Sequence, residues 1–308
     1  GFTFLDYGAK HVINDANGEA TRQFVVSFVK KGETTEVTVH EDKRHTYEEG
    51  DFVALREVEG MTEINGLKPA KVLKTTPFTF VLELDSSGFA DYTRQGVCED
   101  VKVPKESAFH SWADSFKNPQ ASSETGELMM TDFGKFGRSE QLHVALFGIL
   151  AFVQSHKKYP TEADVAACLE SAKAALATSQ LKSFGADIEI AEDVFKNAVR
   201  FSSCSISPMA AFFGGVVAQE IVKKTGKYTP LKQWLHHDIF EGIPREETVN
   251  REPMNCRYDD QIRIYGREVQ EKLKKVKTFM IGAGALGCEL IKAFAVMGVG
   301  CSEEGLIH

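Results

Sequence analysis

Val276-Lys-Thr-Phe-Met-Ile-Gly282-Ala-Gly284-Ala285-Leu-Gly287-Cys-Glu-Leu-Ile-Lys-Ala-Phe-Ala-Val-Met-Gly298 is the stretch on which the reading of this chain turns. A short apolar run ends in Gly282-x-Gly284-x-x-Gly287, and an apolar helical pattern follows at once. Strand, glycine-rich turn and helix are the context in which G-x-G-x-x-G carries meaning. The glycines allow a tight turn and close backbone approach, and the helix N-terminus offers free N–H groups to a phosphate. An acid that holds a ribose is expected about 20 residues further on, whereas the sequence stops at His308.

A chain of 308 residues has room for two or three domains with their own cores. Its net charge of −8 argues against general nucleic-acid binding, which needs clustered cations to neutralise phosphates. The basic cluster Lys272, Lys274, Lys275 and Lys277 ends a predicted helix, where cations complement the helix dipole. Six cysteines without a C-x-x-C pair suit a reducing compartment, where thiols stay free. No apolar run approaches the roughly 20 residues of a membrane span, and Phe2-Thr-Phe-Leu-Asp6 is too short for a signal peptide. The expectation is a soluble cytoplasmic and nuclear chain without nucleic-acid or membrane partners.

The first 105 residues read as β structure. Phe78, Phe80, Leu82 and Leu84 alternate with Thr79, Val81 and Glu83, the period of a half-buried strand. Thr35 to His40, Asp51 to Leu55 and Val97 to Val103 are further strands, separated by turn signals at Asn17-Gly18, Lys31-Gly32, Asn65-Gly66, Ser87-Gly88 and Gln95-Gly96. Short strands at this spacing predict a small barrel or sandwich.

The pattern changes at Pro104. Phe109, Trp112, Ala113 and Phe116 mark one helix face closed by Asn118-Pro119, and polar Gln120 to Glu127 reads as a mobile loop. Leu142, Leu146, Ile149, Leu150 and Val153 mark a second helix with Ser139 placed to cap it. Thr161, with Asp164 three residues on, opens a third whose stripe is Val165, Cys168, Leu169, Ala172 and Leu176. A fourth runs from about Ile188 to Arg200, so the segment predicts an antiparallel four-helix bundle. Ser207-Pro208 starts another helix, stopped at Gly226, with a broad apolar face around Gly214-Gly215 that predicts burial at an interface. Pro244 to Cys256 reads as a linker, and Arg257 to Lys275 as loop and helix.

Taken in order, these segments resemble the single-chain ubiquitin-activating enzymes across essentially the whole length. The resemblance rests on Arg257-Tyr-Asp-Asp-Gln261 with Gly266 and Leu273, and on Ile281-Gly-Ala-Gly-Ala-Leu-Gly-Cys-Glu-Leu290. It also rests on Ala211-Phe-Phe-Gly-Gly-Val-Val-Ala-Gln-Glu220, Gly226-Lys-Tyr-Thr-Pro-Leu-Lys-Gln-Trp234, and Arg44-His45 before Glu49-Gly-Asp-Phe-Val53. Val101-Lys-Val-Pro104 and Thr131-Asp-Phe-Gly-Lys-Phe136 complete it. The implied fold is a mixed α/β multidomain chain with a small all-β inserted domain, an antiparallel four-helix bundle and partial Rossmann-like adenylation domains. Residues 1–16 map to the end of the first inactive adenylation segment and 17–104 to the inserted β domain, the first catalytic-cysteine half-domain. Residues 105–200 map to the bundle, 201–250 to the return into the inactive adenylation domain, and 257–308 to the start of the active one.

The resemblance implies an enzyme that uses ATP with Mg2+ to adenylate the C-terminus of ubiquitin and passes it to a cysteine as a thioester, before ubiquitin-conjugating enzymes take it up. A monomeric parent protein is implied too. Gly282, Gly284, Ala285 and Gly287 are the implied nucleotide-binding residues, and Arg44 the residue implied to touch ubiquitin. The ribose-binding acid, the phosphate-binding Arg and Lys, the magnesium-binding Asp and the thioester cysteine are expected beyond His308. An arginine is expected before Gly1, since Asp260 stands where homodimeric relatives carry one. This stretch alone is therefore expected to be catalytically incomplete, with no catalytic residue of its own. The alternatives are an enzyme activating another ubiquitin-like modifier, a nicotinamide-dependent dehydrogenase suggested by the fingerprint alone, and a non-catalytic binding module. His236-His237-Asp238 is no metal site on this reading, because neighbours on a strand face opposite ways. All six cysteines read as structural.

Overall fold

The computed structural model describes residues 1–7, 10–13, 22–123, 126–226, 228–244 and 249–308. The Asn17-Gly18 turn, the 16/17 boundary and Lys227 of the Gly226–Trp234 motif lie outside the described residues. Two compact units emerge: Lys10–Ser107 with Lys223–Thr229, and Gly1–Ala9 with Ala108–Val222 and Pro230–His308.

In the smaller unit, strands β3 (Gln23–Lys30), β4 (Thr35–Val39), β5 (Phe52–Arg56), β6 (Ala70–Thr75), β7 (Thr79–Leu82) and β8 (Val97–Asp100) form a closed barrel in the order β3-β4-β7-β6-β5-β8. Closure leaves no strand edge unpaired within the barrel. The alternating stretch 78–84 delivers what its period predicts: Phe80 and Leu82 are fully buried, with Phe78 and Leu84 packed on the same core. Strand β3 alternates only as far as Val26. A bulge between Val26 and Phe28 then turns Val29 inward and leaves Phe28 exposed. Beside the barrel, β2 (Lys10–Ile13) pairs with β9 (Lys105–Ala108). Arg22 closes the end of the barrel by bridging Asp100 at 3.0 Å and Asp51 at 2.8 Å.

In the larger unit, β1 (Phe2–Phe4) runs antiparallel to β10 (Trp234–His236). Four helices follow the barrel in sequence: α1 (Trp112–Lys117), α2 (Arg138–His156), α3 (Val165–Thr178) and α4 (Glu192–Arg200), with α3 and α4 packed on α2. Ser111 caps α1 by accepting the Asp114 amide. Thr161 and Asp164 form the capping box their spacing predicts, on a short 3-10 turn that leads into α3. Ser139 does not cap α2. Gly137, at φ +70, holds that position, and the Ser139 hydroxyl lies inside the helix and donates to the Met129 carbonyl at 2.9 Å. The 120–127 segment is tied down at its start: Gln120 is buried and exchanges hydrogen bonds with the backbone of Lys182. Glu124 and Thr125 lie outside the described residues.

Helix α5 spans Ser207–Lys223. Its apolar face is open rather than buried: Val217, Ile221 and Val222 are exposed, and a Cβ on Gly214 or Gly215 meets no atom within 4 Å. The final stretch holds α6 (Asp259–Tyr265), α7 (Arg267–Lys274), β11 (Lys277–Thr278), α8 (Ala285–Met297) and β12 (Leu306–Ile307). Two helices replace the one expected over 257–275, because Gly266 at φ +91 turns the chain between them.

The α2–α3 contact depends on Gly148. A Cβ there would lie 2.4 Å from the Cys168 carbonyl oxygen and 3.2 Å from the Ala172 methyl. Alanine gains about 1 kcal/mol of helix propensity over glycine, but forcing two packed helices apart costs about 1–3 kcal/mol or more when backbone must move. The steric term wins, so Gly148→Ala should lower stability. Both tryptophans, Trp112 and Trp234, lie in the larger unit, so tryptophan fluorescence in a urea titration reads the effect; an unchanged or raised midpoint would contradict this packing.

Candidate functional site

Strand β11 pairs in parallel with β12, Lys277 with Leu306 and Thr278 with Ile307. The pairing extends as the Met280 amide donates to the His308 carbonyl at 2.7 Å and the His308 amide to Thr278 at 2.9 Å. Helix α8 connects the two strands, so the glycine turn sits at the C-terminal end of a strand in a β-α-β unit. Ligands of open α/β sheets bind at that end.

The candidate residues come together there, each for its own reason. Gly282 takes φ +94, a backbone angle that a side chain rarely adopts. Gly284 flanks the helix start, and a Cβ on it meets nothing within 4 Å, so the approach to the turn is open. Ala285 is the first helical residue. At Gly287 a Cβ would lie 2.4 Å from the Gly282 carbonyl oxygen, so only glycine lets the helix sit against the turn. The Cys288 amide makes the first helical bond, to the Gly284 carbonyl at 2.9 Å. The amides of Ala285, Leu286 and Gly287 precede it and, with the helix dipole, favour an anion.

The side chains around the turn are apolar and exposed: Phe279, Ile281 and Leu286. The nearest acid in sequence, Glu289, is ion-paired with Lys292. Residues 279–288 carry no carboxylate for a divalent cation, in line with the expectation that the magnesium ligand lies outside this stretch. The basic cluster is surface structure, with Lys274 on Glu271 at 2.6 Å and Lys275 on Glu304 at 3.0 Å.

Arg44 lies in the other unit, exposed, with its guanidinium carbon 5.8 Å from the Phe78 ring centroid. Next to it His45 is buried and bonds the Thr79 carbonyl at 3.1 Å, which anchors the loop. Cys98 and Cys168 are buried, and burial raises both thiols to about 11. Cys256, Cys288 and Cys301 are exposed. Cys288 stands in the first turn of α8 with its thiol toward the Ala283 carbonyl at 3.4 Å.

Three family models match successive segments of the chain. Residues 32–102, over most of the barrel, match the ubiquitin-activating enzyme E1 FCCH domain, and residues 103–176 match the ubiquitin-activating enzyme E1 four-helix bundle. Residues 258–301, which include the glycine turn, match the ThiF family. The chain is similar to a stretch of the ubiquitin-activating enzymes, two of whose domain models it matches. It is similar over 100% of its length to ubiquitin-like modifier-activating enzyme 1 of Oryctolagus cuniculus (38% identity over 315 residues) and of Homo sapiens (38% over 318 residues). Over 99% of its length it is 34% identical to ubiquitin-activating enzyme E1 1 of Arabidopsis thaliana. The chain spans 29%, 29% and 28% of the length of these relatives.

What sequence reading missed is a buried polar core. His143 and His236, from α2 and β10, are both buried, with His143 Nδ1 3.0 Å from His236 Nε2. His143 Nε2 meets the Phe116 carbonyl at 2.9 Å. A carbonyl only accepts, so Nε2 carries the His143 proton, Nδ1 is the acceptor, and His236 Nε2 donates to it. That leaves His236 Nδ1 as an unpartnered acceptor. The fully buried Trp234 packs its ring edge-on to His143 and donates from its indole nitrogen to Ser115 Oγ at 2.6 Å. His237, just past the end of β10, turns the other way, bonding Thr131 at 3.0 Å and stacking on Phe212. Among the described residues no group of three metal-ligating side chains forms.

Burial pushes the His143 imidazole down to about 4, opposed by the Phe116 carbonyl, and pushes His236 well below its ordinary value. Both folded values lie below the unfolded value near 6.5, so the unfolded chain takes up protons first as pH falls. The stability these neutral rings allow is complete above pH ~6.5 and is lost as pH falls toward the folded values. Each ring contributes a slope of up to about 1.4 kcal/mol per pH unit. Replacing His143 by Asn, which can still accept from His236, should flatten the loss between pH 6.5 and 5; equal slopes in urea titrations of both proteins would contradict it.

Proposed function

We propose that the glycine turn binds the phosphates of ATP, and that the whole protein uses ATP to adenylate the C-terminus of ubiquitin and passes it to a cysteine thiol. One observation carries this: the turn joins an open backbone approach at Gly282 and Gly284 to free amides at the start of α8, inside the segment that matches the ThiF family. The relatives' names supply ubiquitin and its activation. Adenylation converts a poor carboxylate electrophile into a mixed anhydride, and a thiolate then displaces AMP to give the thioester.

This chain's share of that chemistry is binding and orientation. The amides of 285–287 face the accumulating charge on the phosphates with no side-chain reorganisation, which is how preorganised donors lower a phosphoryl-centred barrier. The turn itself carries no cation to neutralise the pyrophosphate leaving group, a role phosphoryl transfer requires. The isolated chain is therefore inferred to bind rather than turn over nucleotide. The finer architecture implied by the resemblance, with the barrel as an insertion and an antiparallel bundle after it in the chain, belongs to the same proposal, as do the conjugating enzymes as acceptors.

The barrel is proposed to face ubiquitin through the loop that bears Arg44. The guanidinium held against Phe78 offers a cation and an apolar ring side by side on an exposed loop fixed from beneath by His45.

Two substitutions test these assignments in the full-length protein. Gly287→Ala forces the turn away from α8, and misplacement of about 1 Å can cost about 100-fold. ATP–pyrophosphate exchange should therefore lose about two orders of magnitude in kcat/KM for ATP; exchange at the wild-type level would overturn the phosphate assignment. Arg44→Glu should weaken ubiquitin affinity about 10-fold, the scale of one charge-assisted contact, with KM for ATP unchanged. Unaltered ubiquitin affinity would remove Arg44 from the interface.

A further inference from the structure

Helix α8 is held unequally at its two ends. At the turn, Ile281 is 90% and Leu286 83% exposed. Gly282 and Gly284 have open space where a side chain would stand, and Gly287 alone makes a tight contact. At the far end the last carbonyls are gripped. Gln261 Nε2 and Gln270 Nε2 both donate to the Met297 carbonyl at 3.1 Å, and Gln261 also donates to Gln270 Oε1 at 2.7 Å. Met297 offers only an acceptor, which fixes the orientation of both amides and uses each donor proton once. The two glutamines are 9% and 1% exposed. Arg257 donates to the Ala295 and Val296 carbonyls while lying over the Tyr258 ring at 4.9 Å. The Tyr258 ring in turn closes on Gly298, where a Cβ would come within 2.7 Å of it, and Gly298 ends the helix at φ +77.

Every one of these grips comes from the stretch just before β11: Arg257, Tyr258 and Gln261 from the start of α6, and Gln270 from α7. Their targets are carbonyls of the last helical turn, where a cation also meets the negative end of the dipole. A helix of 13 residues is about 20 Å long and stiff. Translation or rotation at one end is therefore delivered to the other.

We propose that Arg257, Gln261 and Gln270 are positioning residues for the nucleotide turn: by fixing the carbonyls of the last turn of α8 they set where the amides of 285–287 stand. This rests on the phosphate reading given above. The Arg-Tyr-Asp-Asp-Gln stretch then has a role within its own chain, in which Gln261 and Arg257 act from one end of a helix on a ligand at the other. None of the three touches the nucleotide.

The test is ATP–pyrophosphate exchange by the full-length protein, with KM measured separately for ATP and for ubiquitin and thermal unfolding followed alongside. Gln261→Glu keeps shape but replaces the donor facing Met297 with an acceptor. Arg257→Met removes the exposed cation, so the fold survives it, and Arg257→Lys restores a donor to the same carbonyls. Gln261→Glu and Arg257→Met should raise KM for ATP about 10-fold, the scale of one lost hydrogen bond, with KM for ubiquitin within about twofold. Arg257→Lys should recover most of the loss. Folded variants with unchanged KM for ATP, or with both KM values shifted equally, would overturn the positioning role while leaving the phosphate site intact. A wild-type protein that binds ubiquitin but exchanges no pyrophosphate would instead overturn the phosphate reading, and this inference with it.

Discussion

The contact between Gly287 and the Gly282 carbonyl oxygen is the constraint on which the functional site depends. It lets the first turn of α8 lie directly against the backbone that leaves β11, and a single methyl group there would meet that oxygen at 2.4 Å. Because the helix starts at this contact, its unbonded amides open onto the turn rather than onto a side chain. Gly282 supplies the backbone angle that brings its carbonyl into place. Gly284 keeps the approach clear. The chemistry available is anion binding by fixed dipoles, which needs neither a titrating group nor a mobile side chain.

Positioning such dipoles requires the helix to be stationary, and here the far end does that work. Two buried glutamines and one arginine converge on the last carbonyls of the helix. Burying two amides is costly unless they find partners; here the Met297 carbonyl accepts from both and Gln270 Oε1 accepts from Gln261. A comparable rule governs the bundle. There His143 and His236 are tolerated only as neutral rings, because burial excludes their charged forms and the Phe116 carbonyl fixes the tautomer.

Local patterns were legible in the sequence where local physics decides the outcome. The alternation at 78–84, the Thr161–Asp164 capping box and the glycine turn with its helix all stand where the residues place them. Strand β3 was not legible: a bulge between Val26 and Phe28 breaks the period, and an almost continuous apolar run hides which residues face inward. Ser139 failed as a cap because a glycine in the left-handed region claimed the position and left the hydroxyl a better acceptor at Met129. The face of α5 was read as buried from its composition, yet composition says only that a face is apolar and not what covers it. Neither the histidine pair, 93 residues apart, nor the Gln270 grip on Met297, 27 residues apart, leaves a local signal. The motif containing Arg257 and Gln261 was recognisable as a string, but its work on α8 became visible only in three dimensions.

The central claim is that backbone amides at the start of α8 hold a nucleotide phosphate. Amide hydrogen exchange of the full-length protein, followed by mass spectrometry with and without saturating ATP, tests it most directly. The account predicts slower exchange confined to the peptide spanning 282–288, where donors gain phosphate partners. ATP binding that leaves exchange across 282–288 unchanged would contradict it.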